Sequence, residues 1–198
     1  VQPSVNLEQG YPGEAWVKGV TAAANKLIEM GVADPERLGV QGTSYGGYAT
    51  NLLITQTNRF KAAINISGKV NMVSFYTDSP RLGVRNIHAP EKSQDRIGAT
   101  LWQQPQKYIA HSAIMFADRI KTPTLFLCGE KDFNVPVAGS EQMYQALRSL
   151  GVETQLVIYP NENHGIQRPS YARDRYERYL AWYEKYLKKP SAPASASG

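Results

Sequence analysis

Three polar residues of the sequence have the types that together activate a serine for attack on a carbonyl carbon. Ser44 lies between two glycines in GTSYG, residues 42–46, which fits the pattern G-x-S-x-G. A serine hydroxyl is a weak nucleophile until a base takes its proton, and that base needs a carboxylate to orient it. Asp132 lies in GEKDFNVP and His164 lies in NENHGI. The chemistry that such a set could perform is acyl transfer through a covalent serine intermediate.

Each of these residues follows a segment with the apolar pattern of a short strand. RLGVQ precedes Ser44, TLFLCG precedes Asp132 and TQLVIYP precedes His164. Because parallel sheets place ligands at the carboxyl ends of their strands, we expect the three side chains to meet at one sheet edge. The chain order Ser, Asp, His is also the order found in α/β-hydrolases. The pattern therefore favours a nucleophile, an orienting carboxylate and a base.

Each residue also has an ordinary alternative role. Ser44 fits a plain glycine-rich turn, Asp132 fits a turn or helix-capping aspartate, and His164 fits a surface loop histidine. The joint arrangement favours the catalytic interpretation, because three strand ends each deliver one required residue. Small residues at Gly42 and Gly46 are expected to let the strand and the following helix approach closely.

The rest of the chain alternates helical periodicity with apolar runs. Helices are predicted at 12–31, 45–57, 140–150 and 170–188, and strands at 37–41, 60–68, 122–130 and 153–160. Residues 69–118 lack a clean period and are interpreted as an irregular, partly helical excursion. This alternation is typical of βαβ units and predicts an α/β fold with a mainly parallel sheet flanked by helices.

The net charge of +5 raises the question of nucleic-acid binding. The positive excess lies between Arg168 and Lys189, mixed with glutamates and tyrosines on the last predicted helix. One face of that helix is predicted to consist of Tyr176, Tyr179, Leu180, Tyr183 and Leu187. A solvated amphipathic helix explains this pattern, so no nucleic-acid partner is predicted.

Other function classes lack their sequence signals. No run of about 18 apolar residues is present, so no membrane span is predicted. The N-terminus shows no signal peptide, which favours a cytoplasmic location. Cys128, the single cysteine, lies inside an apolar run and is predicted to be buried. No metal or organic cofactor is implied, because H-E-x-x-H, paired C-x-x-C and phosphate-loop motifs are missing.

The sequence resembles the catalytic domain of the prolyl oligopeptidase family of serine peptidases, including its acylaminoacyl-peptidase and dipeptidyl-peptidase branches. The matching stretches are GVADPERLGVQGTSYGGYATNLL, FADRIKTPTLFLCGEKDFNVPVAGSEQMYQAL and YPNENHGI, and the match is collinear from about Gly13 to Leu187. The form G-x-S-Y-G-G, followed by Tyr48, is more specific than G-x-S-x-G alone.

The resemblance implies an α/β-hydrolase fold and a role for each candidate residue. It makes Ser44 the nucleophile, His164 the general base and acid, and Asp132 the orienting carboxylate. The backbone N–H of Tyr45, which follows the nucleophile and begins a helix, is expected to donate to the oxyanion.

The resemblance also implies a peptide substrate and no cofactor, with a carboxylic ester as the alternative substrate because fold and triad do not determine the leaving group. Tyr76 and Trp102 lie in the irregular excursion, which corresponds to a region bordering the substrate pocket in such enzymes. Either residue is therefore a candidate for the acyl-side pocket, with core packing as the alternative role of Trp102.

The chain also departs from the family pattern. Only about a dozen residues precede the first helix, and four strands are predicted, whereas an α/β-hydrolase sheet has about eight. We therefore predict that residues 1–188 are the C-terminal part of a catalytic domain and that 189–198 form a disordered tail. A further N-terminal segment or a second chain is expected to complete the sheet. A homo-oligomer and a non-catalytic fragment are the alternatives.

Overall fold

The computed structural model describes residues 12–78 and 87–188 of the chain. The elements of these ranges are α1 (Pro12–Glu29), β1 (Gly39–Thr43), α2 (Tyr45–Gln56), β2 (Ala62–Ile66), α3 (Met72–Thr77), α4 (His88–Lys92), α5 (Pro105–Ala110), a 3-10 helix (Ala113–Arg119), β3 (Thr124–Gly129), α6 (Val137–Ser149), β4 (Thr154–Tyr159) and α7 (Pro169–Leu187). The excursion is partly helical, as predicted, over its described part. The predicted tail at 189–198 lies outside the described residues.

The four strands form one parallel sheet in the order β1-β2-β3-β4. The register pairs Gly42 with Asn65 and Leu127 with Val157. The predicted parallel sheet flanked by helices is therefore confirmed. Because the order in space follows the order in sequence, β1 lies at one edge of the described sheet and β4 lies at the other.

Helices cover both faces of the sheet. Alternate strand residues point to opposite faces, so neighbouring residues of one strand join different cores. The α7 face contains Ala62, Ile64, Ile66, Leu125, Leu127, Val157, Tyr159, Ile166 and Trp182. The opposite core contains Ala63 and Phe126 from the strands, together with Tyr48, Leu52, Met143 and Leu147 from α2 and α6. Burial on both faces explains why β2 and β3 consist mostly of apolar residues, with Asn65 and Thr124 as buried polar exceptions.

The buried face of α7 differs from the prediction. Tyr179, Tyr183 and Leu187 pack against the sheet, as expected. Tyr176 and Leu180 are 58% and 70% exposed, so the prediction is wrong for these two. The buried face is centred on the large side chain of Trp182, which the sequence pattern did not include, and this rotates the two residues toward solvent.

Two further expectations concern buried and membrane-spanning segments. Cys128 is 1% exposed, so its predicted burial is confirmed, and this burial raises the pKa of its thiol to about 12. Among the helices of the described ranges, none combines the length and the apolar character needed to cross a membrane.

Candidate active site

Ser44 lies at the sharp turn that joins β1 to α2. Its backbone N–H donates to the carbonyl oxygen of Ile66 at 2.8 Å, and its own carbonyl accepts from the N–H of Tyr48 at 3.0 Å. Its φ of 58° and ψ of −116° are unusual for a residue with a side chain. Such strain is maintained only where the surrounding structure over-determines it, and here it places the Ser44 hydroxyl at the carboxyl end of the strand.

The glycines around Ser44 serve different purposes. A Cβ atom at Gly42 would overlap the backbone of Gly46, so glycine is required there. A Cβ at Gly46 would meet open space within the described residues, so the crowding predicted at this position is wrong. A Cβ at Gly47 would overlap the side-chain oxygen of Asn65 and lie 2.9 Å from the Cα of Gly68. Gly47, the last glycine of the G-x-S-Y-G-G motif, therefore serves the packing of α2 against the loop after β2.

The three predicted residues lie in one hydrogen-bonded chain. The Nε2 atom of His164 is 2.8 Å from the Oγ of Ser44, and its Nδ1 is 2.8 Å from the Oδ2 of Asp132. A carboxylate only accepts hydrogen bonds, so Nδ1 carries the imidazole proton and Nε2 is left to accept from the serine hydroxyl. The Asp132 side chain is 0% exposed and that of His164 is 25% exposed. The arrangement can therefore take a proton from Ser44 while remaining open to solvent at one end.

The second oxygen of Asp132 is held by the backbone of its own loop. Its Oδ1 accepts from the N–H groups of Asn134 and Val135 at 2.9 and 2.8 Å. This is the turn-forming role that the sequence offered as an alternative. Asp132 fills both roles at once, because one oxygen shapes the turn and the other contacts the histidine.

The loops that carry Asp132 and His164 are also bonded to each other. The N–H of Glu130 donates to Tyr159 at 3.0 Å, and the N–H of Lys131 donates to the carbonyl of Glu162 at 2.9 Å. A Cβ at Gly129 would overlap the carbonyl oxygens of Glu162 and Asn163. The two loops therefore pack backbone against backbone, which ties the base to its orienting carboxylate.

Tyr45 is the first residue of α2, so its N–H has no carbonyl one helical turn earlier to bind. This places one backbone donor directly beside the nucleophile. The phenol of Tyr45 is half-buried, and this burial, followed by the nearby Asp95 charge, raises its pKa to about 12. The side chain is accordingly neutral at physiological pH.

The two predicted substrate-binding residues contact each other in the irregular excursion. Tyr76 is 4% exposed, and its hydroxyl donates to Glu91 at 2.5 Å. Burial and this carboxylate raise the pKa of Tyr76. Trp102 is 74% exposed and contacts Tyr76 edge to face, with 5.4 Å between the ring centroids. The core-packing alternative for Trp102 is therefore wrong.

A small, partly open cavity lies between the loop after β2 and the start of α6. Its apolar walls include Val70, Phe75, Val135 and Pro136. Val135 also donates its N–H to Asp132, so the cavity adjoins the loop of the orienting carboxylate. No local sequence signal identified it, because its walls come from segments about 65 residues apart in the chain.

Lys69, which also lines this cavity, forms a buried ion pair with Asp95. Its Nζ is 2.6 and 2.7 Å from the two carboxylate oxygens, and the residues are 4% and 0% exposed. The same Nζ lies 4.5 Å from the centroid of the Phe75 ring and 5.3 Å from that of Tyr48. Burial lowers the pKa of Lys69, and the Asp95 charge acts in the opposite direction. The described residues contain no group of three or more His, Cys, Asp or Glu side chains placed to hold a metal ion.

Comparisons with known proteins agree on one family. The model of the prolyl oligopeptidase family matches residues 9–190. The uncharacterized peptidase YuxL of Bacillus subtilis (strain 168) is 34% identical over 190 residues, which are 94% of this chain and 28% of that protein. The acylamino-acid-releasing enzyme of Arabidopsis thaliana is 34% identical over 182 residues, 90% of this chain and 24% of that enzyme.

Solved structures give the same answer. A puromycin-hydrolyzing peptidase of Mycobacterium tuberculosis superimposes with a TM-score of 0.81 at 30% identity, covering 94% of this chain and 27% of that one. An acylaminoacyl peptidase in complex with Z-Gly-Gly-Phe-chloromethyl ketone has a TM-score of 0.77 at 26% identity. The match covers 96% of this chain and 30% of that one. The chain thus spans about a quarter of the length of its curated relatives. The fold is that of α/β-hydrolase peptidases, and the chain belongs to the prolyl oligopeptidase family.

Proposed function

We propose that this chain is the catalytic part of a serine peptidase that cleaves peptide bonds through an acyl-enzyme intermediate. The observation that carries the proposal is the continuous hydrogen-bonded chain from Ser44 through His164 to Asp132, with 2.8 Å at both links. Membership of the prolyl oligopeptidase family supports the same activity.

The first half of the reaction acylates Ser44. As Oγ attacks the substrate carbonyl carbon, its proton passes to Nε2 of His164, and the resulting imidazolium is stabilised by Asp132. His164 then donates this proton to the leaving amine, the C–N bond breaks and the acyl group remains on Ser44. The two backbone N–H groups bound to Asp132 keep its carboxylate fixed throughout these transfers.

The second half repeats these steps with water. His164 takes a proton from the water as its oxygen attacks the acyl carbon, and the proton returns to Ser44 when the ester bond breaks. In both halves the N–H of Tyr45 donates to the oxyanion, at the start of a helix whose dipole favours negative charge there. A single donor of this kind contributes about 10²- to 10³-fold in rate.

We assign peptides as the substrate class because named relatives are peptidases or acylamino-acid-releasing enzymes. The cavity bounded by Val70, Phe75, Val135 and Pro136 is the proposed site of the acyl-side group. These four apolar side chains favour a small hydrophobic group, and Asn71, Ser74 and Gln142 of the same lining add polar contacts.

We also propose that further polypeptide, from the same protein or from a second chain, pairs with the outer edge of β1. This strand carries the nucleophile at its end, and an unpaired edge strand exposes a row of backbone donors and acceptors. Gly39, Gln41 and Thr43 of β1 are all exposed. The molar mass in solution distinguishes a homo-oligomer, which doubles it, from a segment of the same protein.

Labelling with a fluorophosphonate probe tests the catalytic proposal. Ser44 Oγ displaces fluoride from phosphorus only if His164 accepts its proton, so we expect stoichiometric labelling of the folded chain. The Ser44→Ala variant is the matched control and should remain unlabelled. An unmodified Ser44 in folded protein, beside a reactive control hydrolase, would show that this chain is a non-catalytic fragment.

The leaving group needs a separate measurement. We expect a panel of blocked peptide amides and acyl esters with the same acyl group to show turnover of both classes. Labelling by the probe combined with negligible amide turnover would contradict the peptidase assignment and identify an ester hydrolase.

A further inference from the structure

The loop between β4 and α7, residues 160–168, holds His164 and is closed by one side chain. The Oε2 of Glu162 accepts from the N–H of Gln167 at 2.9 Å, and its Oε1 accepts from the N–H of Arg168 at 3.3 Å. We propose that Glu162 is a positioning residue for His164, an inference that rests on the function proposed above. The carboxylate joins the two sides of the loop, and the base lies inside the ring thus formed.

The two N–H groups lack a partner from the helix that follows them. Arg168 is the residue before α7, and its side chain makes no capping hydrogen bond. Backbone donors at a helix start need a side-chain oxygen, and negative charge is favoured there. The carboxylate of Glu162, six residues before Arg168, supplies both the acceptor oxygen and the negative charge. The position of the loop is thereby fixed relative to α7, which packs on the sheet.

The entry side of the loop is held by other contacts. The N–H of Asn161, a residue with φ of 62°, donates to the side chain of Glu130 at 2.8 Å. The carbonyl of Glu162 accepts from Lys131, as described above. These bonds reach the loop before His164, whereas the Glu162 carboxylate binds it after His164. Without that carboxylate, the exit side of the loop loses two of the bonds that hold the imidazole between Ser44 and Asp132.

Catalysis is sensitive to such displacements. A shift of about 1 Å in a catalytic group costs about 10²-fold in rate. The imidazole must keep two contacts at once, and it is more exposed than the carboxylate that orients it. Loss of Glu162 is therefore expected to lower the rate of chemistry more than it lowers substrate affinity.

The test compares Glu162→Ala and Glu162→Gln with Glu177→Ala. Glu177 is an exposed residue of α7 that pairs with Arg173, so its variant removes the same charge without touching the loop. Three quantities are measured in the whole chain: the fluorophosphonate labelling rate, the low-field proton resonance of the His164 Nδ1–H bound to Asp132, and Tm. The resonance reports the placement of His164 without requiring turnover.

We expect Glu162→Ala to label about 10- to 100-fold more slowly and to lose or broaden the resonance. Glu162→Gln keeps one acceptor oxygen, so its labelling rate should lie between those of Glu162→Ala and the wild type. Glu177→Ala should match the wild type in rate and resonance.

A lowered Tm with unchanged labelling and resonance would give Glu162 a structural role only and overturn the inference. That outcome leaves the proposed function intact, because the wild type still labels. If the wild type itself does not label, the proposed function fails, and the resonances of wild type and Glu162→Ala still decide whether Glu162 positions His164.

Discussion

The loops at the strand ends and the segment that walls the cavity are held in different ways. The strand-end loops carry Ser44, Asp132 and His164, and backbone N–H groups that donate to carbonyls and carboxylates of these loops and of β2 fix them. The wall segment comprises residues 69–78, several of which line the cavity, and residues 87–119, which pack on them; it is fixed by side chains that are distant in sequence. Its anchors are the ion pair of Lys69 with Asp95 and the hydrogen bond of Tyr76 to Glu91.

Because of this difference, substitutions in the two regions should affect different measured quantities. A change in a strand-end loop moves a reacting group, so it should appear mainly in kcat. A change in the wall segment exposes or unpairs buried groups, so it should appear mainly in the free energy of unfolding and in KM.

The largest expected effect is that of His164→Ala. Removing the base leaves the Ser44 hydroxyl without a proton acceptor, and turnover should fall by roughly 10⁴- to 10⁶-fold, as for other triads. The side chain is partly exposed and its loop is held by backbone bonds, so the free energy of unfolding should change little. Steady-state kinetics with a peptide amide and urea unfolding measure the two quantities. A loss of turnover below tenfold would indicate that another group is the base.

In the wall segment, Asp95→Asn should lower the free energy of unfolding and leave kcat nearly unchanged. This variant leaves the buried Lys69 ammonium without its counter-charge, which costs about 3–5 kcal/mol of unfolding free energy. We expect kcat of the folded protein to change by less than about threefold, since Asp95 does not contact the reacting groups. If the loss in kcat, expressed as a free energy, equalled the loss in unfolding free energy, the distinction between the two regions would fail.

The stability deficit of Asp95→Asn should also depend on pH. Burial lowers the pKa of Lys69 below its ordinary 10.5, and the variant lacks the carboxylate that counteracts this. The unfolded chain then binds more protons than the folded one between the lowered pKa and 10.5, so stability rises with pH in that window. Urea unfolding at pH 7 and near pH 10 should show the deficit shrinking as Lys69 loses its proton. A deficit that is constant or grows with pH would contradict this.

The same division explains which features were predictable from the sequence. The triad geometry follows from local patterns, because each residue comes directly after an apolar strand and a parallel sheet aligns the strand ends. The Lys69–Asp95 pair has no local pattern, since 26 residues separate its members. Trp182 defines the buried face of α7, yet the tyrosines around it gave an equally apolar stripe. Sequence periods report which residues are apolar but not how a helix is rotated on its sheet.

Gly129→Ala tests the contact between the two strand-end loops. The added methyl group would overlap the carbonyls of Glu162 and Asn163 and push the His164 loop away from the Asp132 loop. We expect kcat to fall about 10- to 100-fold and the unfolding free energy to fall by about 1–3 kcal/mol. Gly139→Ala in α6 is the control for kcat and stability only, because its methyl group would meet Val70 at an ordinary 3.5 Å but lies in the lining of the cavity, where it can alter KM. An unchanged kcat in Gly129→Ala would mean that the loops yield without moving the imidazole.

The smallest expected effect is that of Trp102→Ala in the wall segment. The ring is 74% exposed and touches Tyr76 only edge to face, so its loss should change the unfolding free energy by at most about 0.5 kcal/mol. Because Trp102 does not line the cavity, KM for a peptide amide should also stay within about twofold. Val135→Ala, which enlarges the cavity beside Asp132, is the comparison and should raise KM. If Trp102→Ala raises KM several-fold at unchanged Tm, the substrate extends beyond the cavity to this surface, and this result supports the acyl-side role predicted for Trp102 from the sequence.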